Sequence, residues 1–198
     1  MSKVIKQKTP QFGICVDWET SGSDWGGDSS KSYQGISVGV VVFTTADFEP
    51  VKTWYREIKF DETRYKWTAE AEAIHGITRE RLEANGVTQE EAAIEFVSLL
   101  LEYFSPEDSI MFLGHNREFD ISFTKQLLEQ FGIMFKIHSC CLDTAGIGFA
   151  TVGLFKSEML FRELGYEPRN AHNALEDALM TLGCVQRIRL LVNSALGI

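Results

Sequence analysis

Apolar residues come in short unbroken runs in the first third of the chain and at helical spacing afterwards. Residues 12–18 (FGICVDW) and 36–43 (ISVGVVVF) are runs of the kind that strands buried on both faces require. Between them, residues 21–35 (SGSDWGGDSSKSYQG) hold four Gly and five Ser and read as a loop. Residues 53–60 alternate, with Trp54, Ile58 and Phe60 on one side, which predicts a third strand exposed on one face. Three strands joined by loops form an antiparallel meander.

Helical patterns then take over. Residues 68–74 and 79–84 predict two short helices. TQEE at 88–91 is a capping box that opens a longer helix to about Phe104. Residues 110–114 (IMFLG) are a strand, and 118–131 a helix with Phe119, Phe123, Leu127 and Phe131 inward. A last strand is expected at 135–140, and closing helices at 154–164 and 173–192. A meander followed by alternating helices and strands gives an α/β domain, a mixed sheet flanked by helices. The expected organisation is an N-terminal extension over 1–11, one domain over 12–192 and a tail over 193–198.

Composition narrows the function classes. The 198 residues are 44% hydrophobic and 12% aromatic, values of a chain that buries its own core. Nineteen Lys and Arg against 28 Asp and Glu leave a net charge of −9. That argues against coating long nucleic acid, which calls for a basic face, and is compatible with engaging a chain end or a short oligonucleotide. Cys15, Cys140, Cys141 and Cys184 fit no metal-binding spacing. Reduced thiols are expected, and with them a cytoplasmic protein. MSKVIKQKTPQFG carries no apolar signal segment, and no run approaches membrane-spanning length.

The candidate chemistry lies in acidic motifs. Asp17 and Glu19 end the first strand; at i and i+2 both carboxylates point to one face and can address one metal site. The same pair could also be two solvated acids at a strand end. Asp120 falls in the first turn of the helix after IMFLG, where a carboxylate also suits the helix dipole. Asn116, at the strand end, can orient a carboxylate or a substrate phosphate. In HNALEDA, Asn173 reads as an N-cap with Glu176 completing a capping box. His172 then sits on the incoming loop, and Asp177 is anchored in the first turns. A rigid ligand beside a movable base divides the labour sensibly. Four carboxylates and a histidine, gathered by a fold, could hold two divalent cations and deprotonate a water.

Together these residues resemble a known family. D-x-E-T-S-G at 17–22, H-N-x-x-F-D at 115–120 and H-x-A-L-x-D-A at 172–178 resemble the three exonuclease motifs of the DEDDh, or DnaQ-like, 3′→5′ exonucleases. AIHGIT at 73–78 and CLDT at 141–144 resemble further segments of that family, so the likeness spans about Phe12 to Arg189. It implies a ribonuclease-H-like fold with a five-stranded mixed sheet. It implies Asp17, Glu19, Asp120 and Asp177 as metal ligands and His172 as general base. Oxygen ligands suit two Mg²⁺ or Mn²⁺ per site, not Zn²⁺. The implied substrates are single-stranded DNA or RNA 3′ ends or short oligonucleotides, and the implied products nucleoside 5′-monophosphates.

Other features stay open at this level. Thr20 is either near the 3′-terminal sugar or a turn hydroxyl. Ile74 and His75 match the part of the family that packs on the terminal base, and His75 could equally cap a helix end. His115 is expected to support the strand end. The 21–35 loop looks longer than its family counterpart. Its Trp25 and Tyr33 could stack on bases or pack over the loop itself. A stand-alone enzyme is expected rather than part of a polymerase, and a homodimer is compatible with the chain. The rival from another class is a non-catalytic nucleic-acid-end-binding or adaptor module on the same fold.

Overall fold

The computed structural model describes residues 10–24, 27–167 and 172–197. The chain opens with the expected meander: β1 (Phe12–Thr20), β2 (Gly35–Thr44) and β3 (Pro50–Glu57), paired antiparallel. Three helices follow: α1 (Ala69–His75), α2 (Arg79–Asn85) and α3 (Gln89–Tyr103). The Thr88–Glu91 capping box opens α3 as anticipated. β4 (Ser109–Gly114) then lies parallel to β1, and α4 (Arg117–Glu129) leads to β5 (Lys136–Ile137) and β6 (Leu142–Asp143). The chain closes with α5 (Thr144–Val152), α6 (Ser157–Glu163) and α7 (Ala174–Leu196).

The sheet order is β3-β2-β1-β4, with β5 and then β6 pairing along the outer edge of β4. The fifth lane of the expected mixed sheet is therefore filled by two short strands. A single strand over 135–140 fails because the chain turns at His138, whose Nδ1 accepts from Cys140 N at 3.0 Å. The ladder N–H of Phe112 turns instead to the Cys141 sulfur at 3.4 Å.

Strand alternation sorts the two faces of the sheet. Ile14, Val16, Trp18, Val38, Val40 and Val42 pack with Phe96, Phe123 and Leu128 of α3 and α4. Cys15, Val41, Phe43, Met111 and Leu113 pack on the opposite face with Ala178, Leu182 and Val185 of α7. Both faces are covered, which is why β1 and β2 read as continuous apolar runs.

Two further expectations need correction. Phe131 is 40% exposed, because α4 ends at Glu129 and leaves it in the following turn. The expected helix over 154–164 starts only at Ser157, and α5 precedes it unannounced. Its TAGIGFATV sequence, with two glycines and β-branched residues, has poor helix propensity. Packing overrides that: a Cβ on Gly148 would lie 2.9 Å from Leu160, so the glycine lets α5 and α6 meet closely.

The 21–35 segment is also better anchored than its composition suggests. Ser21 N donates to Gln34 O, and Thr68 N donates to Ser21 O. Gln126 of α4 donates to the carbonyls of Ser30 and Tyr33 and accepts from Gly35 N. Tyr33 is buried in the core and is no stacking platform. Trp25 lies outside the described residues. No helix among the described residues is long and apolar enough to cross a membrane.

Candidate active site

β1 carries Asp17 and Glu19 on the sheet face that α7 covers, the face to which Cys15 also points. The first turn of α7 reaches them because β2 presents Gly39 directly opposite Asp17. A Cβ at Gly39 would lie 2.3 Å from the Ala174 carbonyl carbon and from Leu175 N. Cys15 Sγ fixes the next turn by donating to Ala178 O at 3.2 Å. We expect Gly39→Ala to cost about 1–3 kcal/mol or more as α7 is forced off the sheet. A urea midpoint equal to wild type would show that this approach does not set the position of α7.

The start of α7 is held from both sides. Asn173 Oδ1 accepts from Leu175 N at 3.1 Å and Glu176 N at 3.2 Å. The return bond comes from Asp177, whose Oδ2 accepts from Asn173 N at 3.1 Å. Asp177 thus closes the cap, and this fixes its buried carboxylate. His172 lies just outside the helix, as anticipated, and its side chain is 44% exposed. Its Nδ1 is 3.7 Å from Asp177 Oδ2, and its backbone N donates to Ile74 O at 3.4 Å.

Asp120 arrives from the other side. Its Oδ1 accepts from Trp18 N at 3.1 Å, so it sits against β1 between Asp17 and Glu19. Trp18 is locked to α4 in turn, its indole donating to Thr124 Oγ1 at 3.1 Å. The turn into α4 needs Asn116 in the left-handed region, at φ 63°. The first N–H groups of α4 are then taken by Asp143, which accepts from Asn116 N at 3.3 Å and Arg117 N at 3.0 Å. Asp143 also caps α5 through Ala145 N at 2.9 Å. It is the positioning residue that carboxylate spacing alone did not identify; its place in CLDT was the available signal.

Glu19, His172 and Asp177 each offer a ligand atom within 4.8 Å of the other two. Asp17 and Asp120 are outside that trio: Asp17 precedes Glu19 by two residues on β1, and Asp120 reaches β1 from α4 through its bond to Trp18 N. Burial pushes the Asp120 carboxyl well above the usual carboxylate range, with the Asp143 and Glu19 charges adding to it and the Trp18 N–H opposing. Buried acids gathered this closely repel one another. A donor set of carboxylate oxygens, with the His172 imidazole beside it as a base rather than a ligand, fits hard divalent cations.

Thr20, Ile74, His75 and Asn116, four of the five predicted substrate contacts, line one cleft of about 570 Å³ beside Glu19, with Phe119 also in its wall. Thr20 is buried and donates to Gly22 O at 2.9 Å, the geometry of a turn hydroxyl. Ile74 is 55% exposed and adds apolar surface to the cleft beside Phe119. Asn116 is exposed at the rim. His75 is buried: Nδ1 accepts from Ile77 N at 3.0 Å, and the ring stands edge-on to Trp67. His115 supports the strand end through Thr144 Oγ1 at 2.9 Å.

Burial lowers the His75 pKa below the ordinary 6.5, and His115 is shifted the same way. Between the folded and unfolded values the unfolded chain binds the proton and the native state does not. Stability from this source is complete above about 6.5 and is lost as pH falls through that window. We expect the melting temperature to drop on acidification from about pH 7 to pH 5, less steeply in His75→Asn, where the amide oxygen can still accept from Ile77. Parallel curves would place the acid sensitivity elsewhere.

In overall shape the chain is similar to exonuclease I of E. coli in its zinc-bound complex with single-stranded DNA. The TM-score is 0.73 at 20% identity, covering 92% of this chain and 41% of that one. Exonuclease I in complex with a dT13 oligonucleotide gives a TM-score of 0.72 at 19% identity, over 93% of this chain and 43% of that one. The nuclease domain of 3′hExo, a DEDDh family member bound to rAMP, gives 0.69 at 14% identity over 94% of both chains. The chain thus spans about two-fifths of exonuclease I and nearly all of the 3′hExo nuclease domain. A sequence search of curated proteins finds no significant match. The family model described as the 3′-5′ exoribonuclease Rv2179c-like domain matches residues 13–189. That match covers most of the chain, which therefore belongs to this 3′-5′ exoribonuclease Rv2179c-like family.

Proposed function

We propose that the protein shortens single-stranded RNA from its 3′ end, one nucleoside 5′-monophosphate at a time. The observation that carries this reading is the convergence of Glu19, His172 and Asp177 within 4.8 Å, with Asp120 held against β1 beside them. RNA is preferred over DNA because the matching family is described as exoribonuclease. Asp17, Glu19, Asp120 and Asp177 would hold the cations, two Mg²⁺ or Mn²⁺ per site. When bound, these ions neutralise charge on the scissile phosphate and acidify a water.

The chain's own residues supply the rest. The cleft formed by Thr20, Ile74, Asn116 and Phe119 receives the terminal nucleoside and orients its phosphate toward the carboxylates. His172, half-exposed on its loop, accepts a proton from the attacking water. The nearby Asp177 carboxylate stabilises the imidazolium that results. Cap bonds hold Asp177 still, so His172 can move without disturbing the ligands.

Product identity tests this reading. Incubation of an oligoribonucleotide with Mg²⁺ should release nucleoside 5′-monophosphates as the only mononucleotide, identified by mass spectrometry. Nucleoside 3′-monophosphates, or release from the 5′ end, would contradict it. A DNA strand of the same sequence should be cut more slowly, and equal or faster cutting of DNA would overturn the assignment to RNA.

A further inference from the structure

The active-site cleft does not end at Asn116 and Phe119. Those two residues and Ser23 also line a second hollow of about 620 Å³, which has α4 on one side and Asp24, Gly27, Asp28 and Ser29 on the other. That hollow shares Asp28, Glu118 and Ser122 with a third, of about 650 Å³. The three form one groove. Along α4 it is floored by Phe119, Ser122 and Gln126, spaced as one helix face. At its far end stand Lys31, Arg64 and Lys125, with Tyr65 among them.

Lys31, Arg64 and Lys125 cluster at that end, while the groove lining also holds Asp24, Asp28, Glu118 and Glu129. The carboxylates nearby are partly engaged: Asp28 pairs with Lys31 at 3.5 Å and Glu118 with Arg117 at 3.3 Å. Exposed pairs of this kind are weak and leave Lys31 available to a stronger anion. Arg64 lies 5.1 Å over the Tyr65 ring, so the site offers guanidinium and aromatic surface side by side, the combination that single strands bind. From Phe119 to Lys125 the helix advances about 9 Å. That is the stacked length of roughly three nucleotides at 3.4 Å each.

We infer that this groove carries the RNA strand upstream of the scissile bond, with Lys31, Arg64 and Lys125 holding its backbone phosphates. The inference rests on the exonuclease reading and adds a length preference to it: strands that reach the cations are bound better than a dinucleotide. The other opening of the active site, beside His172 and Asp177, measures about 170 Å³ and has Arg162 as its one cation among the described residues. It is the competing exit.

The test compares wild type, the triple variant Lys31→Ala/Arg64→Ala/Lys125→Ala, and Arg162→Ala. Each is given a dinucleotide and an oligoribonucleotide of about twelve nucleotides. The triple variant should lose about tenfold or more in kcat/KM on the longer strand, with the dinucleotide little changed. Raising salt from about 50 to 200 mM should weaken wild-type binding of the longer strand roughly 20-fold more than that of the triple variant, as three lost phosphate contacts at a slope of about 0.7 each imply. Equal losses on both substrates, no loss on either, or a length-specific loss in Arg162→Ala alone would overturn the groove. Anisotropy of the labelled strand in EDTA gives a second readout that needs no cleavage. If wild type binds there about tenfold tighter than the triple variant yet cuts nothing, the groove stands and the exonuclease reading falls.

Discussion

Asp120→Asn should reduce turnover by at least about 10³-fold, equivalent to roughly 4 kcal/mol of barrier, while the metal-free protein melts at the same temperature or higher. The two halves of this expectation have one cause. Asp120 is buried beside Glu19 and Asp143, so its charge is costly in the apo fold. The amide keeps an oxygen where Trp18 N donates and removes the charge, which relieves the fold and removes a cation ligand. Asp17→Asn should behave the same way in cleavage. The checks are steady-state cleavage at saturating Mg²⁺ and thermal melting in EDTA. Near-wild-type turnover in either variant would sink the assignment of these carboxylates as cation ligands.

His172→Ala should cost about 10²- to 10⁴-fold in turnover, the range for loss of a general base. The wild-type rate should rise with pH along an acid limb, and that limb should vanish with the histidine. Cation binding, followed by calorimetry, should change far less than in the aspartate variants, because the carboxylates remain. The exposed loop position of His172 makes the variant safe for folding: the Asn173 and Asp177 cap bonds do not involve the ring. A variant with the wild-type rate and pH profile would show that another group takes the proton.

Much of the candidate set was legible because each member sits where a strand meets a loop or a helix begins. The apolar run of β1 ends at Asp17 and Glu19, and IMFLG ends just before Asp120. Asn173 announced the start of α7 and left His172 outside it. Long, strongly patterned elements could be read for the same reason. What was not legible depends on contacts between distant residues. α5 forms from a glycine-rich sequence because α6 packs on Gly148. β5 and β6 are two-residue strands whose pairing is decided by the β4 edge rather than by their own composition. Gly39 lies inside an apolar run that gave no sign of its purpose, which is visible only once α7 lies on it. Tyr33 was read with a polar loop, yet it belongs to the core because Gln126 and Ser21 fold the loop back. Asp143 joins two helix starts that lie far apart in sequence.

The most direct test of the central claim is cleavage of a 5′-labelled single-stranded oligoribonucleotide by the purified protein, with Mg²⁺ and with EDTA. A ladder that shortens by single nucleotides from the 3′ end, present with Mg²⁺ and abolished by EDTA, is the predicted result. No cleavage, internal cuts, or a ladder indifferent to EDTA would contradict it.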